Sequence, residues 1–299
     1  MKKVLMLAGT DSCGMMYWMS EALNRYSVKY KSVHVNENKH PFEFPHEYLV
    51  KDCCLEELLE WSDFIQIGHS HYPYEIGSIK IPLDKVKCQY HTGFHYREKD
   101  DQELKEELST EFGIELSFAT PDLCKVPGGD HLVPLPYPID SGYIAKTYSI
   151  WGDSIVHSPS SDFMKGSELV DRVVNRISDK HIIPCISTRD VSWEESLKYK
   201  ARAMLYVDHM FEPYNSFGIS AVESAILGAV PFAMGNNFNM EGCPFIVVNT
   251  EQELYDKLDY YLSNREELIY KSYECRKWAL DNFSLKNTCR TLEEHYDKL

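Results

Sequence analysis

From residue 212 the chain reads Glu-Pro-Tyr-Asn-Ser-Phe-Gly and then passes straight into apolar residues at helical spacing, Ile219, Val222, Ile226 and Leu227. Asn215, Ser216 and Gly218 interrupt regular structure, so the stretch predicts a loop that opens directly into a helix. Gly228 then stops the helix, and Pro231-Phe232-Ala233-Met234 returns as a short buried strand. A loop feeding a helix N-terminus offers unpaired backbone N–H groups and the positive end of a helix dipole, which suits a phosphate. Glu223, a turn further in, is placed to reach ribose hydroxyls beside it.

The remainder alternates strand and helix, the pattern of a parallel sheet with helices on both faces. Val4–Leu7, Ser32–Val35, Asp63–Ile67, Lys85–Tyr90, Ile114–Phe118 and Asp130–Leu135 read as strands, with helices over Met15–Arg25, Leu55–Trp61 and Asp101–Ser109. The proline-rich run from Pro134 to Pro138 stiffens the chain where a crossover is expected, and the alternation restarts beyond it. Ile155–His157, His181–Ile186, Met204–Asp208 and Phe245–Val248 are the expected strands, and Ser167–Ile177 is a helix. Ser192-Trp193-Glu194-Glu195 and Thr250-Glu251-Gln252-Glu253 are capping boxes that open two more helices. At 299 residues there is room for two domains, each with a core.

Charge narrows the function. Lys and Arg number 31 against 46 Asp and Glu, a formal net of −15, which argues against general nucleic-acid binding and against an anionic membrane surface. No apolar run approaches the roughly 18 residues of a membrane span, and Val4-Leu5-Met6-Leu7 is too short for a signal segment, so a cytoplasmic location is expected. Nine cysteines, an odd count without metal-ligand spacing, fit reduced thiols. His69-Ser70-His71 lacks a third ligand at convincing spacing, and no metal is expected.

Three further segments sit where a doubly wound sheet holds ligands, beyond the carboxyl ends of strands. The first is Gly9-Thr10-Asp11-Ser12-Cys13-Gly14, which is not a dinucleotide fingerprint. The second is Gln89-Tyr90-His91-Thr92-Gly93-Phe94-His95-Tyr96-Arg97, whose histidines and arginine suit hydrogen bonds to sugar hydroxyls and to charge on a leaving phosphate. The third runs from Ser158 to Ser167, where Lys165-Gly166-Ser167 sets a point charge beside a helix start.

Taken together these segments resemble the retaining family-4 glycosyltransferases of the GT-B fold, the group 1 glycosyl transferases. That family carries two glutamates around an inner Phe-Gly. Glu223 falls on the second, Phe217-Gly218 on the inner pair, and Asn215 stands at the first. Its His-Gly-Ser-Asp/Glu-Leu-Arg segment is in register with Gly93 and Arg97; Thr92 separates His91 from the glycine, and His95 occupies the acidic position. Thr120-Pro121-Asp122-Leu123 and Pro136-Tyr137-Pro138-Ile139-Asp140 resemble two more family segments. Of the arginine and lysine that grip the donor diphosphate, Lys165 matches the lysine and Ser160 stands for the arginine.

The resemblance implies an α/β fold of two Rossmann-like, doubly wound domains facing a central cleft. It implies an acceptor-side domain over 1–139, a nucleotide-sugar domain over 140–283, and a C-terminal helix over 284–299 packing back toward the first. It also implies donor binding by Lys165, Ser160, Ser216, Phe217, Gly218, Ile219, Glu223 and Gly14, acceptor-side contacts by Thr10, His95 and Arg97, and His91 and Asn215 at the reacting sugar. The expected reaction moves a sugar from a nucleoside-diphosphate sugar, with retention and without metal or further cofactor. The acceptor stays open among a lipid-linked sugar, a protein, a small metabolite and a modified nucleobase. Alternatives are a nucleotide-sugar epimerase or hydrolase on the same fold, or a catalytically weakened nucleotide-sugar-binding protein.

Overall fold

The computed structural model describes residues 1–68, 75–76, 79–91, 114–125, 129–147, 152–211, 216–235 and 240–299. They form two compact units, one of Met1–Asp140 with Phe283–Leu299, the other of Ser141–Asn282.

The first unit is built on a seven-stranded sheet, all parallel. Its strands are β1 (Lys2–Ala8), β2 (Tyr30–Asn36), β3 (Tyr48–Leu49), β4 (Phe64–Gly68), β7 (Val86–His91), β8 (Leu116–Ala119) and β9 (Val133–Pro134), in the order β3-β2-β1-β4-β7-β8-β9. A small antiparallel pair, β5 (Glu75–Ile76) and β6 (Ile79–Lys80), stands apart from it. Val4 to Ala8 are all buried because helices cover both faces, which is why β1 reads as a continuous apolar run. On one face Leu5, Leu7, Ile65 and Ile67 pack with Leu55 and Leu59 of helix α2 (Leu55–Trp61). The opposite face receives α1 (Met15–Tyr26) and α10 (Leu285–Tyr296). There the Tyr296 ring meets Tyr30 and Phe64 edge-on at 5.3 and 5.0 Å, and its hydroxyl donates to the buried Gln66 carboxamide. A polar core residue is tolerable because it is bonded.

The second unit holds a five-stranded parallel sheet of β10 (Ser154–His157), β11 (Cys185–Ser187), β12 (Ala203–His209), β13 (Val230–Met234) and β14 (Ile246–Val248), ordered β11-β10-β12-β13-β14. Its helices are α3 (Ser141–Thr147), α4 (Asp162–Lys165), α5 (Ser167–His181), α6 (Trp193–Lys200), α7 (Ile219–Ile226), α8 (Glu251–Ser263) and α9 (Arg265–Asn282). In each sheet the chain winds one way and then crosses to the other side, so a topological switch point lies between β1 and β4 and between β10 and β12. Ligands of open α/β sheets bind beyond the strand ends at such points.

The start of the strand expected at His181–Ile186 is corrected. Residues 181–184 are not strand: α5 continues to His181, where Lys180 and His181 meet Asp259 at 2.7 and 2.6 Å, and Ile182 then turns with φ 53°. The cap expected at Thr250 is present: Thr250 Oγ1 accepts from Glu253 N–H at 3.1 Å and α8 begins at Glu251, while the Glu253 carboxylate reaches back to Asn249 N–H at 2.7 Å. The helix expected at 101–109 lies outside the described residues. Among the described residues no helix is long and apolar enough to cross a membrane.

Candidate functional site

At the switch point of the second unit, β10 runs into the loop before α4, and β12 runs towards the loop before α7. Gly218 caps α7 with extended backbone, and the first helical amides, Ile219 and Ser220, have no acceptor among the described residues. Lys165, the last residue of α4, projects its ammonium to this helix start: a Cβ placed on Gly218 would stand 3.0 Å from Lys165 Nζ. The lysine is fixed at both ends. Its carbonyl accepts from Met210 N–H at 3.0 Å, and its Nζ donates to Asp208 Oδ1 at 2.9 Å. Gly166 turns the chain with φ 59° against the Met210 carbonyl, which an added Cβ would approach to 2.3 Å. Ser167 then begins α5 and bonds His157 Nε2 at 2.9 Å, while His157 Nδ1 donates to Val207 O at 2.7 Å. Burial lowers the His157 pKa to about 4, so the ring is neutral and serves as a strut.

Glu223 has a different environment from a ribose ligand waiting in solvent. It is 2% exposed, its Oε1 accepts from Trp193 Nε1 at 2.7 Å, and its Oε2 accepts from Lys200 Nζ at 2.6 Å. Lys200 is 2% exposed and also bonds Ser220 Oγ at 3.2 Å. The carboxylate thus ties α6 to α7, and any ribose contact would be shared with those two partners. Phe217 likewise turns inward, its ring edge-on to Phe245 and Trp278 at 5.0 and 5.9 Å. Ser216 is buried and Ser160 exposed. Asn215, expected at the reacting sugar, lies outside the described residues.

In the first unit, the helix N-terminus beyond β1 is already filled. Asp11 is buried, and its two carboxylate oxygens accept from Met16 N–H and Tyr17 N–H, each at 3.0 Å. The Asp11 side chain thus fills the start of α1. Gly14 itself sits in the left-handed region, φ 67°, with its N–H on Asp11 O at 3.3 Å, and Thr10 is half-buried. Burial raises the Asp11 pKa to about 7 against the lowering effect of its backbone donors. The His34 imidazole, 3.4 Å from Asp11 and 3.1 Å from Asn36 Oδ1, is pushed down to about 3 by burial.

His91 ends β7, paired in the ladder with Ala119 and buried at 4% exposure. His95 and Arg97, and the His69-Ser70-His71 run, lie outside the described residues. Sequence reasoning passed over Asp208, Lys200 and Trp193. Asp208 did carry a signal, a charged residue within the apolar strand Met204-Leu205-Tyr206-Val207.

The architecture is shared with solved structures over the whole chain. HepE of Anabaena, solved in complex with UDP-glucose, superposes with a TM-score of 0.67 at 10% identity, covering 100% of both chains. WaaG, a glycosyltransferase involved in lipopolysaccharide biosynthesis, gives a TM-score of 0.60 at 10% identity over 97% of this chain and 98% of its own. The fold is that of the GT-B glycosyltransferases. UDP-GlcNAc 2-epimerase from Methanocaldococcus jannaschii resembles this GT-B chain as well, with a TM-score of 0.55, 12% identity and 99% of each chain covered. No family model matches the sequence, and no curated protein does. The GT-B likeness is therefore one of fold, and the chemistry has to be argued from this chain's own residues.

Proposed function

We propose that the chain is a glycosyltransferase that binds a nucleoside-diphosphate sugar at the carboxyl edge of its second sheet and passes the sugar to a separate acceptor. The observation that carries this reading is the meeting of Lys165 Nζ with the start of α7 at the switch point between β10 and β12. A cation beside two helix-start amides that have no acceptor among the described residues is suited to a diphosphate. As the bond to the sugar breaks, charge grows on the leaving diphosphate, and donors already in place stabilise it without reorganisation. Retention of configuration and transfer without metal are what the family resemblance implies. The solved neighbours support the nucleotide-sugar part of the reading, since HepE is solved with UDP-glucose.

A second reading, an epimerase or hydrolase acting on the nucleotide sugar itself, is favoured by the likeness to UDP-GlcNAc 2-epimerase. Incubation of UDP-, GDP-, ADP- and dTDP-sugars with and without an acceptor mixture separates the two. Nucleotide release that depends on acceptor supports transfer. Release or sugar isomerisation without acceptor supports the second reading, and binding without turnover supports a binding protein.

A further inference from the structure

Asp208 lies near the end of a strand whose residues are all buried, and its side chain is wholly shielded from solvent. A carboxylate in that position has to be matched by donors. Three converge on it: Lys165 Nζ at 2.9 Å on Oδ1, and Gly218 N–H at 2.6 Å and His209 Nδ1 at 3.0 Å on Oδ2. Burial alone would raise its pKa; the Lys165 charge and the His209 bond outweigh burial and hold it well below the usual carboxylate range. An ionised carboxylate only accepts, so His209 donates through Nδ1. Burial lowers the His209 pKa, so the countercharge to Asp208 is Lys165.

Lys165 and Gly218 come from different elements, α4 and the loop before α7, and both touch this carboxylate. A Cβ on Gly218 would stand 3.0 Å from Lys165 Nζ and 3.1 Å from Asp208 Oδ2, so loop, ammonium and carboxylate are packed against one another. An ammonium on a flexible stem loses rotamer freedom when it grips a ligand, and a bond made beforehand reduces that loss.

We propose that Asp208 is a positioning residue of the donor site, holding the Lys165 ammonium at the start of α7 and fixing the Gly218 peptide so that the Ile219 and Ser220 amides face the diphosphate. The proposal rests on the donor-site reading above. It opposes a simpler electrostatic picture, in which a carboxylate beside a phosphate site repels the ligand and weakens binding.

The test is calorimetric titration of the full chain with UDP, and with GDP, ADP and dTDP, for wild type, D208N, K165M and the double variant, with thermal melts to establish folding. Positioning through Lys165 predicts that D208N weakens nucleotide binding about tenfold and that D208N adds almost nothing in the K165M background. Tighter or unchanged binding by D208N overturns the proposal, and so do losses that multiply across the double variant. Should D208N fail to fold, the double variant, which buries no unpaired charge, is compared with K165M alone; equal affinities uphold the coupling and a further loss overturns it. A wild type that binds none of the four nucleotides removes the donor site, and the role of Asp208 with it.

Discussion

Lys200 Nζ lies 2.6 Å from Glu223 Oε2, with the side chains 2% and 3% exposed, so the one acidic residue of α7 is neutralised inside the second unit. Removing one partner of such a pair strands a charge. K200M is expected to cost about 3–5 kcal/mol of folding stability, and K200M combined with E223L to restore most of it. Urea denaturation measures both, and a K200M protein within about 1 kcal/mol of wild type would contradict the pairing.

Asp11 couples the first unit to pH. Its folded pKa of about 7 is above the ordinary 3.8, so the folded state holds this proton more tightly than the unfolded chain. The stability it contributes is complete below the unfolded pKa and is lost as pH rises through about 7. The stability difference between wild type and D11N should therefore fall by up to about 4 kcal/mol across that window. Denaturation at a series of pH values tests this, and a difference that does not change with pH would refute it.

His157 gives the opposite sign in the second unit. Its pKa is lowered from 6.5 to about 4, so its contribution is present above 6.5 and lost as pH falls through about 4. Relative to H157Q, wild type should lose up to about 3 kcal/mol over that interval, read from the same pH series.

Gly166 links fold to site. With φ 59° and the Met210 carbonyl 2.3 Å from an added Cβ, G166A is strained both by conformation and by contact. We expect it to destabilise the chain by about 1–3 kcal/mol and to weaken nucleotide binding through displacement of Lys165. Unchanged stability and affinity would show that this turn does not set the lysine's position.

Much of the fold was legible because its signals are local. Ile219, Val222 and Ile226 repeat at helical spacing between Gly218 and Gly228, and the observed helix spans Ile219–Ile226. The continuous apolar run of β1 announced a strand covered on both faces. What escaped depends on partners far along the chain. The last turn of α5 is held by Asp259, and the burial of Glu223 depends on Lys200 and Trp193. The filling of the α1 start depends on the Asp11 side chain folding back onto Met16 and Tyr17, which a glycine-bearing loop does not reveal from spacing alone.

Donor binding by the second unit is proposed to run through Lys165 and the start of α7. It is tested most directly by calorimetric titration of UDP-, GDP-, ADP- and dTDP-sugars into wild type and K165M. One nucleotide class is expected to bind wild type with a Kd of about micromolar order, and K165M to lose about tenfold or more of that affinity while remaining folded. Absence of binding by every donor, or equal binding by K165M, would contradict it.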